Sequence, residues 1–303
     1  MVFKPLPILR LPCLVQLKIL RNLNLTEQYR LAKLSKRSAC VVKKVTRSRR
    51  YSLVLTFDDV PYVYLERIGV KEETEEFKWK KCYELDEFTG ARITQTDVTR
   101  QIVNAIILYA DVFNKPTVQM RIVKESPAIL TAMRVVNYLG MTLKHTVFEL
   151  VNPSKEVYVR LIHLFSNTSG LTVYQKWPLP IPDEWYPVFR CDVVRLYSSW
   201  FGVERLMSLF MNCKKVHVLL CIFTLQEVRP LLLKWIRGES RMETLIINES
   251  RAAVFSYETL LAGIPAVRVH GARPKSPNKL FQEGYIVTMD NGKEAFVAMN
   301  KLI

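Results

Sequence analysis

The sequence of 303 residues lacks the short motifs by which many enzymes are identified. It has ten glycines, and none of them forms a G-x-S-x-G, Walker or Rossmann pattern, which argues against a hydrolase, an NTPase or a dehydrogenase. The histidines stand singly, without Cys, Asp or Glu at metal-ligand spacing. We therefore predict no catalytic residue, no cofactor, no metal site and no enzymatic activity, with an unrecognised enzyme as an alternative.

Long apolar runs are also lacking. The stretch 216–226, among the longest without charge, falls short of the roughly 18 apolar residues that span a bilayer. Lys4, Arg10 and Lys18 interrupt the N-terminus, so no secretory signal is expected. The six cysteines have no CxxC spacing, and most lie in apolar runs, which indicates buried, reduced thiols. We expect an intracellular protein, in the cytoplasm, the nucleus or both, without a membrane partner.

Acidic residues are scarce in the N-terminal segment. Residues 1–50 contain 13 Lys/Arg and one acidic residue, a net charge of +12, whereas residues 51–303 contain 31 and 27, a net charge of +4. Such asymmetry suggests an acidic partner for the N-terminus. The stretch "KKVTRSRR" at 43–50 is either a nuclear localisation or nucleic-acid patch or a solvated helix end, and it lacks the interleaved aromatics of single-strand binders.

Leucine is concentrated in residues 11–37. On a helical wheel the apolar residues of 11–23 cover almost the full circle, which predicts a helix that is enclosed on all sides. Thr26 is the predicted N-cap of a second helix, and 38–45 is a third. A bundle of about 40 residues seldom buries enough surface to be stable alone. The leucines therefore form an interface for a partner, or they pack against the downstream part of the chain.

The hydrophobic period changes after residue 50. Alternating residues on both sides of "DDVP" at 58–61 predict a hairpin, and 77–85 is a further strand candidate. From residue 97 onward predicted helices and strands take turns at a spacing typical of leucine-rich-repeat solenoids, although the consensus of that repeat is absent. We predict a leucine-rich-repeat-like α/β domain, with an open α/β sheet as the alternative. Asn291-Gly292 predicts a C-terminal β-hairpin.

Residues 11–38 resemble an F-box. The pattern LPxLVxxxILxxLxxxExxxLxxLSKR runs through them without a gap, with Cys13 and Leu14 where the family often has acidic residues. The segments 210–248 and 285–297 are similar to nematode F-box proteins with an F-box-associated domain of the second type. The chain is interpreted as an α+β protein with an F-box at 5–50, a β-rich connecting region at 51–96 and an F-box-associated domain at 97–303, most family-like at 185–265.

This resemblance implies a substrate-recognition subunit of an SCF-type ubiquitin ligase. The F-box would dock on a Skp-type adaptor and, through it, on a cullin, while the downstream domain would bind an unknown target protein. Nucleic acid is expected as a partner only in the alternative, a basic protein that binds it through the N-terminal helices and residues 43–50. The strand residues that we expect to contact the target are Arg195, His217 and Glu243. Those that we expect to contact the adaptor are Leu11, Pro12, Leu14, Val15, Ile19, Leu20, Leu23, Leu31, Leu34 and Arg37.

Overall fold

The structure is a computed structural model, and it divides into two compact units, one up to Lys144 and one from His145 onward. It describes residues 8–47, 50–59, 61–68, 95–150, 153–174, 183–197, 202–221, 223–237, 240–249, 257–270, 283–290, 292 and 294–301. The first unit has a 3-10 turn (Ile8–Arg10), α1 (Cys13–Asn22), α2 (Leu25–Leu34), α3 (Lys36–Thr46), β1 (Tyr51–Phe57), β2 (Tyr62–Arg67), α4 (Gln95–Val112), β3 (Thr117–Ile122) and α5 (Pro127–Tyr138).

The second unit continues the alternation of strands and helices. Its elements are β4 (Leu143–Phe148), which begins at the boundary, α6 (Lys155–Phe165), β5 (Gly170–Tyr174), a 3-10 turn (Asp183–Trp185), β6 (Val193–Tyr197), α7 (Val203–Phe210), β7 (Lys215–Cys221), α8 (Leu225–Ile236), β8 (Thr244–Glu249), α9 (Tyr257–Leu260), β9 (Ala266–His270), β10 (Glu283–Thr288) and β11 (Glu294–Lys301). The helices and strands predicted after residue 97, and the C-terminal hairpin, are confirmed.

Helices α2 and α3 begin at capping residues. The Asn24 side chain accepts a hydrogen bond from the Glu27 N–H at 2.8 Å, and the Glu27 carboxylate accepts one from the Asn24 N–H at 2.9 Å. Ser35 caps α3 by accepting a hydrogen bond from the Ser38 N–H at 3.1 Å. The prediction that Thr26 caps the second helix is wrong, because the reciprocal bonds of Asn24 and Glu27 start the helix earlier.

The N-terminal helices pack against α4 within the first unit. Tyr29 of α2 stacks on Tyr109 of α4 with ring centroids 4.8 Å apart. The Thr46 hydroxyl at the end of α3 donates to the Val112 carbonyl at 2.6 Å, which satisfies a buried polar atom. These contacts cross the domain boundary that was predicted after residue 50, a boundary that stays a prediction.

The strand order in the first unit is β2-β1-β3. β1 and β2 pair antiparallel, which confirms the predicted hairpin, and β1 pairs parallel with β3 through the crossover that contains α4. All residues of β1 are buried, as expected for a strand with a neighbour on each side and cover on both faces. The strand candidate at 77–85 lies outside the described residues.

The strand order in the second unit is β4-β5-β6-β7-β8-β11-β10-β9. Strands β4 to β8 are parallel to one another and follow the chain order. β11 adds to β8 in parallel, and the antiparallel β10 and β9 complete the order. The region after the N-terminal helices is therefore a mixed α/β structure with parallel strands, whereas its leucine-rich-repeat-like character stays a prediction.

On β6 and β7 the side chains alternate between a covered and a partly exposed face. On β6 the side chain of Val194 is fully buried, and so is that of Val216, its register partner on β7. Arg195 and His217, the residues that follow them, are only half-buried. Since successive residues of a strand point to opposite faces, the core lies on one side and polar residues occupy the other.

Helix α8 is fixed at both ends. Thr224 and Glu227 form a capping box at its start, where the Thr224 N–H donates to the Glu227 carboxylate at 2.7 Å. Near the end of α8 the Trp235 side chain is only 1% exposed, and its indole N–H donates a hydrogen bond to the Met242 carbonyl just before β8. Within residues 210–248, the segment that carried the family resemblance, this hydrogen bond therefore joins α8 to the start of β8.

Candidate functional site

Large apolar side chains are exposed on the N-terminal helices. Leu14 is 81% exposed, Leu34 is 76% exposed and Val15 is 43% exposed. On α1 only Gln16 and Leu20 are buried, so the prediction of a fully enclosed first helix is wrong within this chain. The reason is geometric: α1 packs on α3 along one side, and the other side faces solvent.

Helices α1 and α3 share a backbone hydrogen-bond acceptor. The Gln16 side chain donates to the Leu9 carbonyl at 3.3 Å, and the Arg37 guanidinium donates to the same carbonyl at 3.3 Å. The first turn of α1 and the start of α3, which follows the last residue of α2, therefore meet at Leu9. Because Leu14 lies two residues before Gln16 and Leu34 three residues before Arg37, both leucines belong to this end of the helical segment.

The residues predicted to contact an adaptor differ widely in exposure. Leu20 is fully buried among the helices, so its contribution to adaptor binding would be to stabilise the packing of these helices. The contacts themselves stay predictions. The exposed members are Pro12, Leu14, Val15, Leu34 and Arg37, and the half-buried members are Leu11, Ile19, Leu23 and Leu31.

Part of the basic stretch 43–50 is already paired. Lys43 forms an exposed ion pair with Asp111 of α4 at 2.6 Å, a contact of small energetic value. Lys44, Arg47 and Arg50 are exposed. Only these three cations therefore remain for an acidic partner within the described part of the stretch.

The described cysteines differ in exposure. Cys191 and Cys213 are buried free thiols, as expected, whereas Cys13 and Cys40 are exposed, because they lie on the outer sides of α1 and α3. In the described ranges no three His, Cys, Asp or Glu residues converge as a metal site would require. Nor does any helix there combine the length and apolarity of a membrane span.

The comparisons with known proteins identify the helical segment. A family model of the F-box domain matches residues 8–50, the range that contains the first 3-10 turn and helices α1 to α3. Residues 8–50 are an F-box domain. The F-box implies binding to a Skp-type adaptor and, through it, to a cullin of an SCF-type ubiquitin ligase.

No curated protein and no solved structure matches the sequence. The F-box match supports neither a nematode origin nor an F-box-associated domain of the second type, and both stay predictions.

The second unit brings two of the three predicted target-binding residues together. Arg195 on β6 and His217 on β7 are direct register partners, and Tyr197 pairs with Tyr174 of β5 in the same way. Lys215 lies two residues before His217 and therefore points to the same side of the sheet. We call the surface formed by Tyr174, Arg195, Tyr197, Lys215 and His217 the open face.

Glu243 does not pair in register with His217. It is exposed and immediately precedes β8, where its backbone N–H donates to the Lys214 carbonyl at 2.7 Å. The register partner of His217 on β8 is Ile246, three residues further along. Three residues of a strand span about 10 Å, so Glu243 and His217 lie at different levels of the sheet. The role of Glu243 in target binding stays a prediction.

The tyrosines of the open face were not among the residues predicted to contact the target. Tyr174 and Tyr197 stack with ring centroids 4.2 Å apart and an angle of 21° between the rings. Burial raises the pKa of Tyr174, and the hydrogen bond to Tyr197 and the nearby Glu149 carboxylate raise it further, so the Tyr174 hydroxyl stays protonated near neutral pH. The sequence contained a signal for them. Tyr197 follows Arg195 by two residues on β6, and Tyr174 follows Thr172, the register partner of Arg195, by two residues on β5.

His217 has an unusually low pKa for a histidine. Burial, together with the positive charges of Arg195 and Lys215, lowers its pKa to about 4. Because the folded pKa lies below the unfolded value of about 6.5, the folded state is favoured above that value and loses this contribution as the pH falls toward 4.

An NMR titration of the His217 ring protons tests this environment. We expect a midpoint near pH 4 in the wild-type protein and a higher midpoint in Arg195→Gln, because that variant removes one of the neighbouring positive charges. A wild-type midpoint at the ordinary value, unmoved by Arg195→Gln, would contradict the described packing.

Proposed function

We propose that this protein is a non-enzymatic substrate receptor of an SCF-type ubiquitin ligase, acting in the cytoplasm, the nucleus or both. Its F-box binds the Skp-type adaptor, and its second unit binds the protein to be ubiquitinated. The observation that carries the proposal is the F-box match at residues 8–50, on a surface where Leu14 and Leu34 are exposed. Exposed apolar side chains of this size are suited to burial against a partner.

The second unit supports target binding through its sheet. Strands β5 to β8 run parallel in chain order and give a laterally extended sheet, and the residues of its open face are half-buried or exposed. Repeat architectures use such extended surfaces to hold other proteins. This is the basis for assigning the region as an F-box-associated, leucine-rich-repeat-like domain, with Arg195 and His217 among its target contacts.

A second candidate function is nucleic-acid binding by the N-terminal segment. The observation that favours it is the exposure of Lys44, Arg47 and Arg50, which have no carboxylate partner among the described residues. Three phosphate contacts predict a salt dependence with a slope of about −2.7 on a logarithmic scale. Affinity for a duplex would then fall by more than tenfold between roughly 50 and 200 mM salt.

Capture experiments at two salt concentrations distinguish the two functions. The full-length protein is mixed with purified Skp-type adaptor and, separately, with a 20-base-pair duplex. We expect the adaptor complex to persist at about 200 mM salt, because apolar burial is only weakly screened. Salt-sensitive duplex binding that is lost when Lys44, Arg47 and Arg50 are changed to Gln, together with no adaptor capture, would favour the second candidate.

A further inference from the structure

Two cations of the open face form no ion pair with the described residues. Arg195 is half-buried and Lys215 is exposed, and neither has an acidic partner among the described residues. The adjacent Lys214 differs, because it forms an ion pair with Asp192 at 2.6 Å. A partly desolvated guanidinium without a carboxylate is unfavourable, and a ligand that supplies one offsets that penalty.

The spacing of the two cations matches an extended chain. Arg195 is the register partner of His217, so Lys215 lies one strand away and two residues back. Neighbouring strands are about 4.8 Å apart and two residues rise about 6.6 Å, which places the two backbone positions about 8 Å apart. Alternate side chains of an extended peptide are separated by about 7 Å, so one peptide can present a carboxylate to each cation.

The tyrosine pair adds a flat apolar platform beside the cations. Tyr174 is 40% exposed, and its ring stacks on Tyr197, which follows Arg195 by two residues on β6. Tyrosine offers contact area at a low cost in side-chain entropy and keeps a hydroxyl for hydrogen bonding. The open face thus combines a site for carboxylates with a site for an apolar side chain.

We propose that the open face binds an extended, acidic segment of the target protein, with carboxylates on Arg195 and Lys215 and an apolar side chain on the tyrosine pair. The proposal rests on the proposed function, in which the second unit selects the target. It adds the chemistry of the segment that is recognised.

A peptide fits this surface better than a polynucleotide does. Proteins that bind single strands use a basic groove that follows the backbone, together with aromatic rings between or under successive bases. Here the unpaired cations are Arg195 and Lys215, and the two tyrosine rings lie 4.2 Å apart, which leaves no gap for a base. The half-buried His217 is neutral near pH 7 and adds no charge for a phosphate.

Selection from a displayed library of random 12-residue peptides tests the proposal. The bait is the full-length protein, as wild type, as Arg195→Glu/Lys215→Glu, or as the control Lys155→Glu/Arg160→Glu. The control changes the net charge equally, but at exposed positions of α6. Wild type and control are expected to enrich Asp and Glu, and the open-face variant is expected to enrich Lys and Arg. The selected acidic peptide is expected to bind that variant at least tenfold more weakly, and the control within twofold of wild type.

Three results would overturn the proposal. They are selected peptides without acidic enrichment, equal enrichment by the wild type and the open-face variant, and binding of the oligonucleotide (dT)12 that exceeds peptide binding and is lost in that variant. Adaptor capture is measured on the same samples. Normal capture with no acidic enrichment would reject the acidic segment alone, whereas acidic enrichment without adaptor capture would reject the ligase function alone.

Discussion

Changing Leu14 and Leu34 together to aspartate is expected to abolish adaptor capture. Both side chains are more than three-quarters exposed, at 81% and 76%, so the change leaves the fold nearly as stable as before. In a complex each new carboxylate would be buried without a partner, which costs several kcal/mol. Since about 1.4 kcal/mol corresponds to tenfold in affinity, a loss of at least a hundredfold is expected.

Calorimetric titration of the full-length variant with purified adaptor measures this loss. The control is Tyr138→Asp, which places a single new carboxylate at an 89% exposed apolar residue of α5, outside the F-box. We expect the control to bind like wild type. Adaptor affinity of the double variant within threefold of wild type, with an unchanged circular dichroism spectrum, would rule out this end of the helical segment as the interface.

Changing Trp235 to alanine is expected to destabilise the second unit by about 3–5 kcal/mol. The side chain is 1% exposed, and its loss leaves a large cavity beside α8 and an unpaired carbonyl at Met242. A loss of this size is a large part of the 5–15 kcal/mol that stabilises a typical domain. The variant is therefore expected to unfold at a clearly lower urea concentration.

Trp185→Ala is the matched control, because its indole is 47% exposed. A change below about 1 kcal/mol is expected there. Unfolding is followed by circular dichroism, which does not depend on the tryptophans that are removed. Equal midpoints for the two variants would contradict the packing described for α8. The expected difference would assign a structural role to Trp235, which lies in the segment 210–248 that carried the family resemblance.

Local patterns were sufficient to predict most elements of the second unit. The alternation of Val and Leu with polar residues identified β6 and β7, and the regular spacing of strands is consistent with their pairing in chain order. The place of β11 was not predictable in this way. Asn291-Gly292 indicated a hairpin, but the parallel pairing of β11 with β8 depends on contacts between distant parts of the chain.

The candidate sites show a similar limit. Arg195 and His217 could be chosen as polar residues of strands, but the register that makes them neighbours is a property of the sheet. Glu243 was chosen as a member of a strand that in fact begins at Thr244. For Leu14, the sequence reveals an apolar helix but not what buries it. The apolar pattern is the same whether the helix packs against its own chain or against a partner protein.

The pairing of β8 with β11 has a consequence for the newly synthesised chain. Strands β5 to β8 pair with neighbours that leave the ribosome roughly 20 to 30 residues apart, whereas β11 follows β8 by about 50 residues, a larger loop to close. Until β11 has emerged, one edge of β8 exposes its backbone N–H and C=O groups. Such an edge pairs readily with strands of other chains. The interval between the synthesis of β8 and that of β11 is therefore a period in which a nascent chain is exposed to aggregation and to capture by chaperones.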